Sequence, residues 1–97
     1  MAGPQKLDGA AIRERLVAVD GWTLVDGKLR RAFQFDSFVA AFGFMASAAL
    51  ESEKMGHHPE WFNVYNRVVV DLATHDVDGI SDYDFELAAK MNAIAGA

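Results

Sequence analysis

The 97 residues carry 14 Asp and Glu against 9 Lys and Arg, a net charge of −5, and no cysteine. That length fits one domain, residues 1–97, and the missing thiols exclude a disulfide framework and thiolate metal sites. The acidic balance opposes direct nucleic-acid binding, which rests on cationic neutralisation of phosphates, and no apolar run approaches a signal core or the roughly 18 residues of a membrane span.

A cytoplasmic globular domain is therefore expected, and 52% hydrophobic residues, including 7 Phe and 2 Trp, supply the efficient core a short chain needs. Asp8 can cap a first helix, with Leu7 and Ile12 in the positions of a hydrophobic staple. Ile12, Leu16 and Val19 continue at helical spacing until Asp20-Gly21 stops the pattern. Trp22–Val25 and Leu29–Phe35 then flank Asp26-Gly27, a pair suited to the positive φ angles of a tight hairpin turn. Trp22 and Leu24 are expected on one face, as are Phe33 and Phe35.

Asp36 or Ser37 can cap a long second helix running to about Lys54, with Gly56 as its stop. Phe38, Phe42, Met45 and Ala49 read as its apolar stripe, flanked by Val39, Ala46 and Leu50. Phe62–Tyr65 and Arg67–Thr74 follow as two strands around a turn near Asn66; Val68, Val70 and Leu72 alternate with Val69, Asp71 and Ala73. After the acidic loop Asp76–Gly79, Ser81 to Asp84 matches a capping box, and a last helix carries Leu87, Met91 and Ile94 inward, with Phe85 and Ala88 nearby. The order α-β-β-α-β-β-α, with two hairpins and no long crossover, predicts an α+β two-layer sandwich. Its four-stranded antiparallel sheet carries the helices on one face.

All three histidines fall in two short stretches, His57-His58 and His75, at element ends where distant parts of the chain can converge. Histidine suits proton transfer near neutral pH, yet solvated loop histidines fit the composition equally well. Adjacent histidines rarely aim at one metal, and the spacing matches no familiar zinc pattern. A calcium loop centred on Gly79 fails because its terminal ligand positions would fall on Thr74 and Phe85. Asp84, the third residue of the last helix, can complete its cap. Trp61 and Phe62 read as core residues first and as a stacking surface for a flat ligand second.

Read as a unit, Glu53-Lys54-Met55-Gly56-His57-His58-Pro59-Glu60-Trp61-Phe62-Asn63-Val64-Tyr65-Asn66, with Leu72-Ala73-Thr74-His75 downstream, resembles the pterin-4a-carbinolamine dehydratases. The likeness takes in Gly21-Trp22, the Phe-rich start of the long helix and the closing Gly79-Ile80-Ser81 segment up to Asp84. It departs at Met55-Gly56, where many relatives carry a polar residue, and the first twenty residues match only in pattern. The resemblance implies a pocket of His57, His58 and His75 around a bicyclic pterin, with Pro59 and Trp61 shaping the wall and Glu53 and Asp84 close by. It implies a hydro-lyase that dehydrates 4a-hydroxytetrahydrobiopterin to the quinonoid dihydropterin, recycling the cofactor of aromatic amino-acid hydroxylases. His57 and His75 would be the acid–base pair, His58 chiefly a substrate binder, and Asp84 a carboxylate that hydrogen-bonds a histidine ring and holds its tautomer. No cofactor and no metal are implied. A homodimer or homotetramer is, and so is a possible protein partner, because mammalian members also serve a homeodomain transcription factor. A pterin-binding role toward a molybdopterin-related compound is a further alternative that would share the same histidines.

Overall fold

Short-range capping chemistry starts each helix. Asp8 accepts from the Ala11 N–H at 2.9 Å and opens α1 (Gly9–Leu16). Ser37, rather than Asp36, accepts from the Ala40 N–H at 3.1 Å and opens α2 (Phe38–Met55). The Ser81 hydroxyl accepts from the Tyr83 N–H at 3.2 Å at the head of α3 (Asp82–Gly96). Each such cap satisfies a donor that the helix itself cannot. The computed structural model describes residues 3–96, so Met1, Ala2 and Ala97 lie outside the described residues.

The strands are β1 (Thr23–Val25), β2 (Lys28–Gln34), β3 (Glu60–Val64) and β4 (Arg67–Leu72), antiparallel throughout, in spatial order β1-β2-β4-β3. Asp26 and Gly27 adopt φ of 52° and 77°, the doubly positive turn that matches the twist of a two-residue hairpin. In the register Leu29↔Leu72, Arg31↔Val70 and Phe33↔Val68 share one face with Trp61. Val68, Val70, Leu72 and Leu29 on that face are fully buried beneath Leu87, Ala88 and Met91 of α3 and Ala41, Phe44 and Ala48 of α2. Each such large aliphatic side chain contributes roughly 1.5–3 kcal/mol by leaving water. The fold is thus α+β, in the order α-β-β-α-β-β-α.

Several expectations shift at element ends. Helix α1 stops at Leu16; Val19 is still buried, but through a turn in which its N–H donates to Leu16 O at 3.2 Å. Strand β1 begins at Thr23, and Trp22 is buried while Leu24 is half exposed, so the two do not share a burial environment. Strand β3 begins two residues earlier than the pattern suggests, at Glu60, and β4 ends at Leu72, leaving His75 to open a 3-10 turn, His75–Val77.

The apolar stripe of α2 is the main correction. Phe38, Val39, Phe42 and Leu50 face outward, and the buried set is Ala41, Phe44, Ala48 and Ser52. The helix is apolar nearly all round, so periodicity alone does not choose its inner face. Tertiary packing does: Ala41, Ala48 and Ser52 are the small residues that meet the core, while Ala40, Ala46, Ser47 and Ala49 stay exposed. Phe44 fills the one large gap, with its ring centroid 4.6 Å from Phe33 and 5.1 Å from Phe35. The Ser52 hydroxyl is satisfied internally, donating to Ala48 O at 2.8 Å.

Candidate active site

The end of α2 aims the first histidine. Gly56 takes φ +65°, its N–H donating to Glu53 O at 3.1 Å, while the His57 N–H donates to Ser52 O at 3.0 Å. These two bonds form the Schellman termination, which a left-handed glycine allows at little cost. A Cβ on Gly56 would meet nothing within 4 Å, so glycine is needed there for its conformation alone. The chain turns back, and the His57 side chain is left 9% exposed with Nε2 2.6 Å from Asp84 Oδ1.

Asp84 is fully buried. Its Oδ2 accepts from Thr74 Oγ1 at 2.8 Å and from the Ser81 N–H at 2.9 Å. Thr74 and Ser81 hydroxyls lie 2.6 Å apart. Because Thr74 donates to the carboxylate, Ser81 donates to Thr74 and accepts from the Tyr83 N–H. One carboxylate therefore carries both roles open in the sequence: one oxygen completes the cap of α3, and the other holds a histidine. Among the described residues no buried side-chain nitrogen or oxygen lacks a partner. The Tyr83 ring stands edge-on to His57, with centroids 5.9 Å apart.

The loop after β4 is pinned to the same network. The Thr74 N–H donates to Gly79 O at 2.7 Å, and the Gly79 N–H returns to Thr74 O at 3.3 Å. That closure leaves His75 just outside the buried Thr74, with its side chain 84% exposed. His58, 63% exposed, meets Glu53 Oε1 through Nε2 at 2.8 Å, and His75 Nε2 lies 3.6 Å from Glu60 Oε2. Each of the three imidazoles thus turns Nε2 toward a carboxylate oxygen.

A cavity of about 210 Å³ is lined by Gly56, His57, His58, Ala73, Thr74, His75 and Asp76, so the three histidines do converge. Asp84 lies behind His57, and Glu53 joins the site through His58. Pro59 and Trp61 are half buried and outside the lining of this cavity; Trp61 packs against the hydrophobic core. Sequence reasoning did not single out Thr74, Ser81 or Glu60 as members of the site. Thr74 had one signal, its place immediately before His75, and Ser81 another, its cap position.

On the far face of the sheet Lys28 Nζ contacts Glu60 Oε1 at 2.6 Å, and that hydrogen bond holds the ammonium above the ordinary lysine value. Beside it Arg30 grips Asp71 with two bonds, of 2.7 and 3.1 Å, which raise the guanidinium in the same way.

The family profile described as Pterin 4 alpha carbinolamine dehydratase matches residues 5–94. The chain belongs to that family. A Sinorhizobium medicae protein provisionally named a pterin-4-alpha-carbinolamine dehydratase is 53% identical over 94 residues, covering 95% of this chain and 90% of that protein. A Solibacter usitatus protein with the same provisional name is 54% identical over 90 residues, covering 93% and 95%. The crystal structure of a transcriptional coactivator/pterin dehydratase from Brucella melitensis superimposes with a TM-score of 0.92 at 54% identity, covering 95% of this chain and all of that one. As a pterin carbinolamine dehydratase the protein is an enzyme, a hydro-lyase. No helix among the described residues is long and apolar enough to cross a membrane.

The network makes Thr74 a stability determinant. Thr74→Val keeps the side-chain shape but removes the donor to Asp84 and the acceptor for Ser81, inside a fully buried cluster. Unfolding in urea is expected to show a loss of about 1–3 kcal/mol with an unchanged slope; an unchanged midpoint would show that the hydroxyl is dispensable there.

Proposed function

We propose that this dehydratase converts 4a-hydroxytetrahydrobiopterin to quinonoid dihydrobiopterin and water by histidine acid–base catalysis, recycling the cofactor of aromatic amino-acid hydroxylases. The observation that carries this reading is His57, fixed through Nε2 by a buried carboxylate at a cavity shared with His58 and His75. The N5 lone pair forms the C4a–N5 double bond as the C4a–O bond breaks. An acid delivers a proton to the departing oxygen, and a base accepts the N5 proton. His57 and His75 are the acid–base pair, using Nδ1, on two sides of the ring. His58 binds and orients the pterin, with Glu53 bracing it; Pro59 stiffens the loop that follows His57-His58, and Trp61 anchors the adjoining strand β3 to the core.

Stopped-flow dehydration of freshly generated 4a-hydroxytetrahydropterin tests these roles. A positioned acid or base supplies about 10²–10⁴ in rate, so His57→Ala and His75→Ala are each expected to lower kcat by at least about 10². His58→Ala is expected mainly to raise KM. Full rates with His75→Ala would remove it from the pair, and no acceleration by the intact protein would defeat the enzymatic reading.

The proposal includes self-association as a homodimer or homotetramer. Phe38, Val39, Phe42 and Leu50 present an exposed apolar stripe along α2, a feature that marks interaction surfaces. The same stripe could serve a protein partner, a reading favoured by the coactivator description of the Brucella structure. Sedimentation is expected to give an oligomer that Phe42→Glu dissociates; a monomeric native chain at micromolar concentration would overturn the assembly.

A further inference from the structure

We propose that Glu60, held by Lys28, is a positioning residue for His75, presenting this exposed histidine to the pterin as buried Asp84 presents His57. The inference rests on the reading of His75 as a member of the acid–base pair.

His75 has the position of a catalytic group but not the packing of one. Its ring is 84% exposed at the start of a three-residue turn, and an unrestrained side chain there would spread over several rotamers. Glu60 supplies the restraint. It is the first residue of β3, paired with Asp71 of β4 and directed to the sheet face opposite the helices. Lys28 reaches across from β2 and takes Oε1 at 2.6 Å, leaving Oε2 facing His75 Nε2 at 3.6 Å. Strands stand about 4.8 Å apart, so an extended lysine spans the intervening β4.

Lys28 has a second acceptor within its field in Asp71, but Arg30 already occupies that carboxylate with two bonds. The Arg30–Asp71 pair therefore directs Lys28 to Glu60. Other charged or titratable groups surround His75. Asp76 and Asp78 lie on its own turn and Asp26 on the β1–β2 turn, while His57 and His58 share its cavity. Among the described residues Glu60 is the one carboxylate with an oxygen within 4 Å of a ring nitrogen of His75. A pair this exposed adds little to stability. At 3.6 Å the two groups stand just beyond hydrogen-bond distance. Glu60 therefore acts on the ring through its charge, favouring the orientation and tautomer that put the proton on Nε2 and leave Nδ1 for the substrate. Glu60 touches no reacting atom in this scheme.

The test compares Glu60→Ala, Glu60→Gln and Lys28→Met with His75→Ala and the double variant Glu60→Ala/His75→Ala, by stopped-flow kinetics and by imidazole ¹⁵N spectra. Glu60→Ala is expected to lower kcat about tenfold, a fraction of what a positioned acid or base supplies, with KM little changed. Glu60→Gln, which retains an acceptor, recovers most of that loss, and Lys28→Met shows a smaller loss of the same kind. In the His75→Ala background, removing Glu60 has no further effect. The spectra are expected to show the Nδ1–H to Nε2–H ratio of His75 shifting in Glu60→Ala while that of His57 holds. A native kcat in Glu60→Ala, a loss that persists without His75, or an unshifted His75 tautomer would overturn the inference. Failure of the intact protein to accelerate dehydration would instead defeat the functional reading, and the spectra would then decide alone whether Glu60 holds His75.

Discussion

A carboxylate with no access to water is costly unless donors surround it, and Asp84 has three: His57 Nε2, Thr74 Oγ1 and the Ser81 N–H. Those donors come from the end of α2, the segment after β4 and the head of α3. The three elements meet at one buried group, so the position of each is tied to the other two. Removing any donor exposes the remainder to the penalty of an unmet charge. This is the constraint from which the rest of the site follows.

The fold makes that meeting possible. Helix α2 must end where it does, and Gly56 ends it with a left-handed turn that points His57 inward. Strand β4 is buried along its inner face by Val68, Val70 and Leu72, which fixes the level at which Thr74 emerges. The bridge between Thr74 and Gly79 returns the chain to Ser81, whose hydroxyl caps α3 and whose N–H reaches Asp84. The histidines grade from buried His57 through His58 to the most exposed His75, but their carboxylates do not follow that order. Asp84 is fully buried, Glu60 partly exposed and Glu53 mostly exposed.

Features set by near neighbours were legible in the residues. Asp8, Ser37, Gly56 and the Asp26-Gly27 turn act within a few positions, and each behaves as its chemistry dictates. The face of α2 was not legible. Its apolar residues surround the helix, and small residues stand on its outer side as well, so the inner side is chosen by what the sheet and α3 bring against it. Element ends moved for a related reason: Glu60 and Trp61 pair with Asp71 and Val70, contacts that no local pattern encodes. The three histidines stood out as chemistry, and the surrounding motif joined them to a pterin. Their carboxylates were harder to assign. Asp84 lies 27 residues from His57, and Lys28 lies 32 from Glu60, so both pairs exist through the tertiary fold.

The central claim is that Asp84 fixes the His57 ring with its proton on Nε2 and Nδ1 turned to the ligand. The most direct measurement is the ¹⁵N–¹H spectrum of the neutral imidazoles in the native protein. The account predicts a His57 proton on Nε2 that exchanges with solvent far more slowly than those of the exposed His58 and His75. A His57 proton on Nδ1, or one exchanging as fast as theirs, would contradict it.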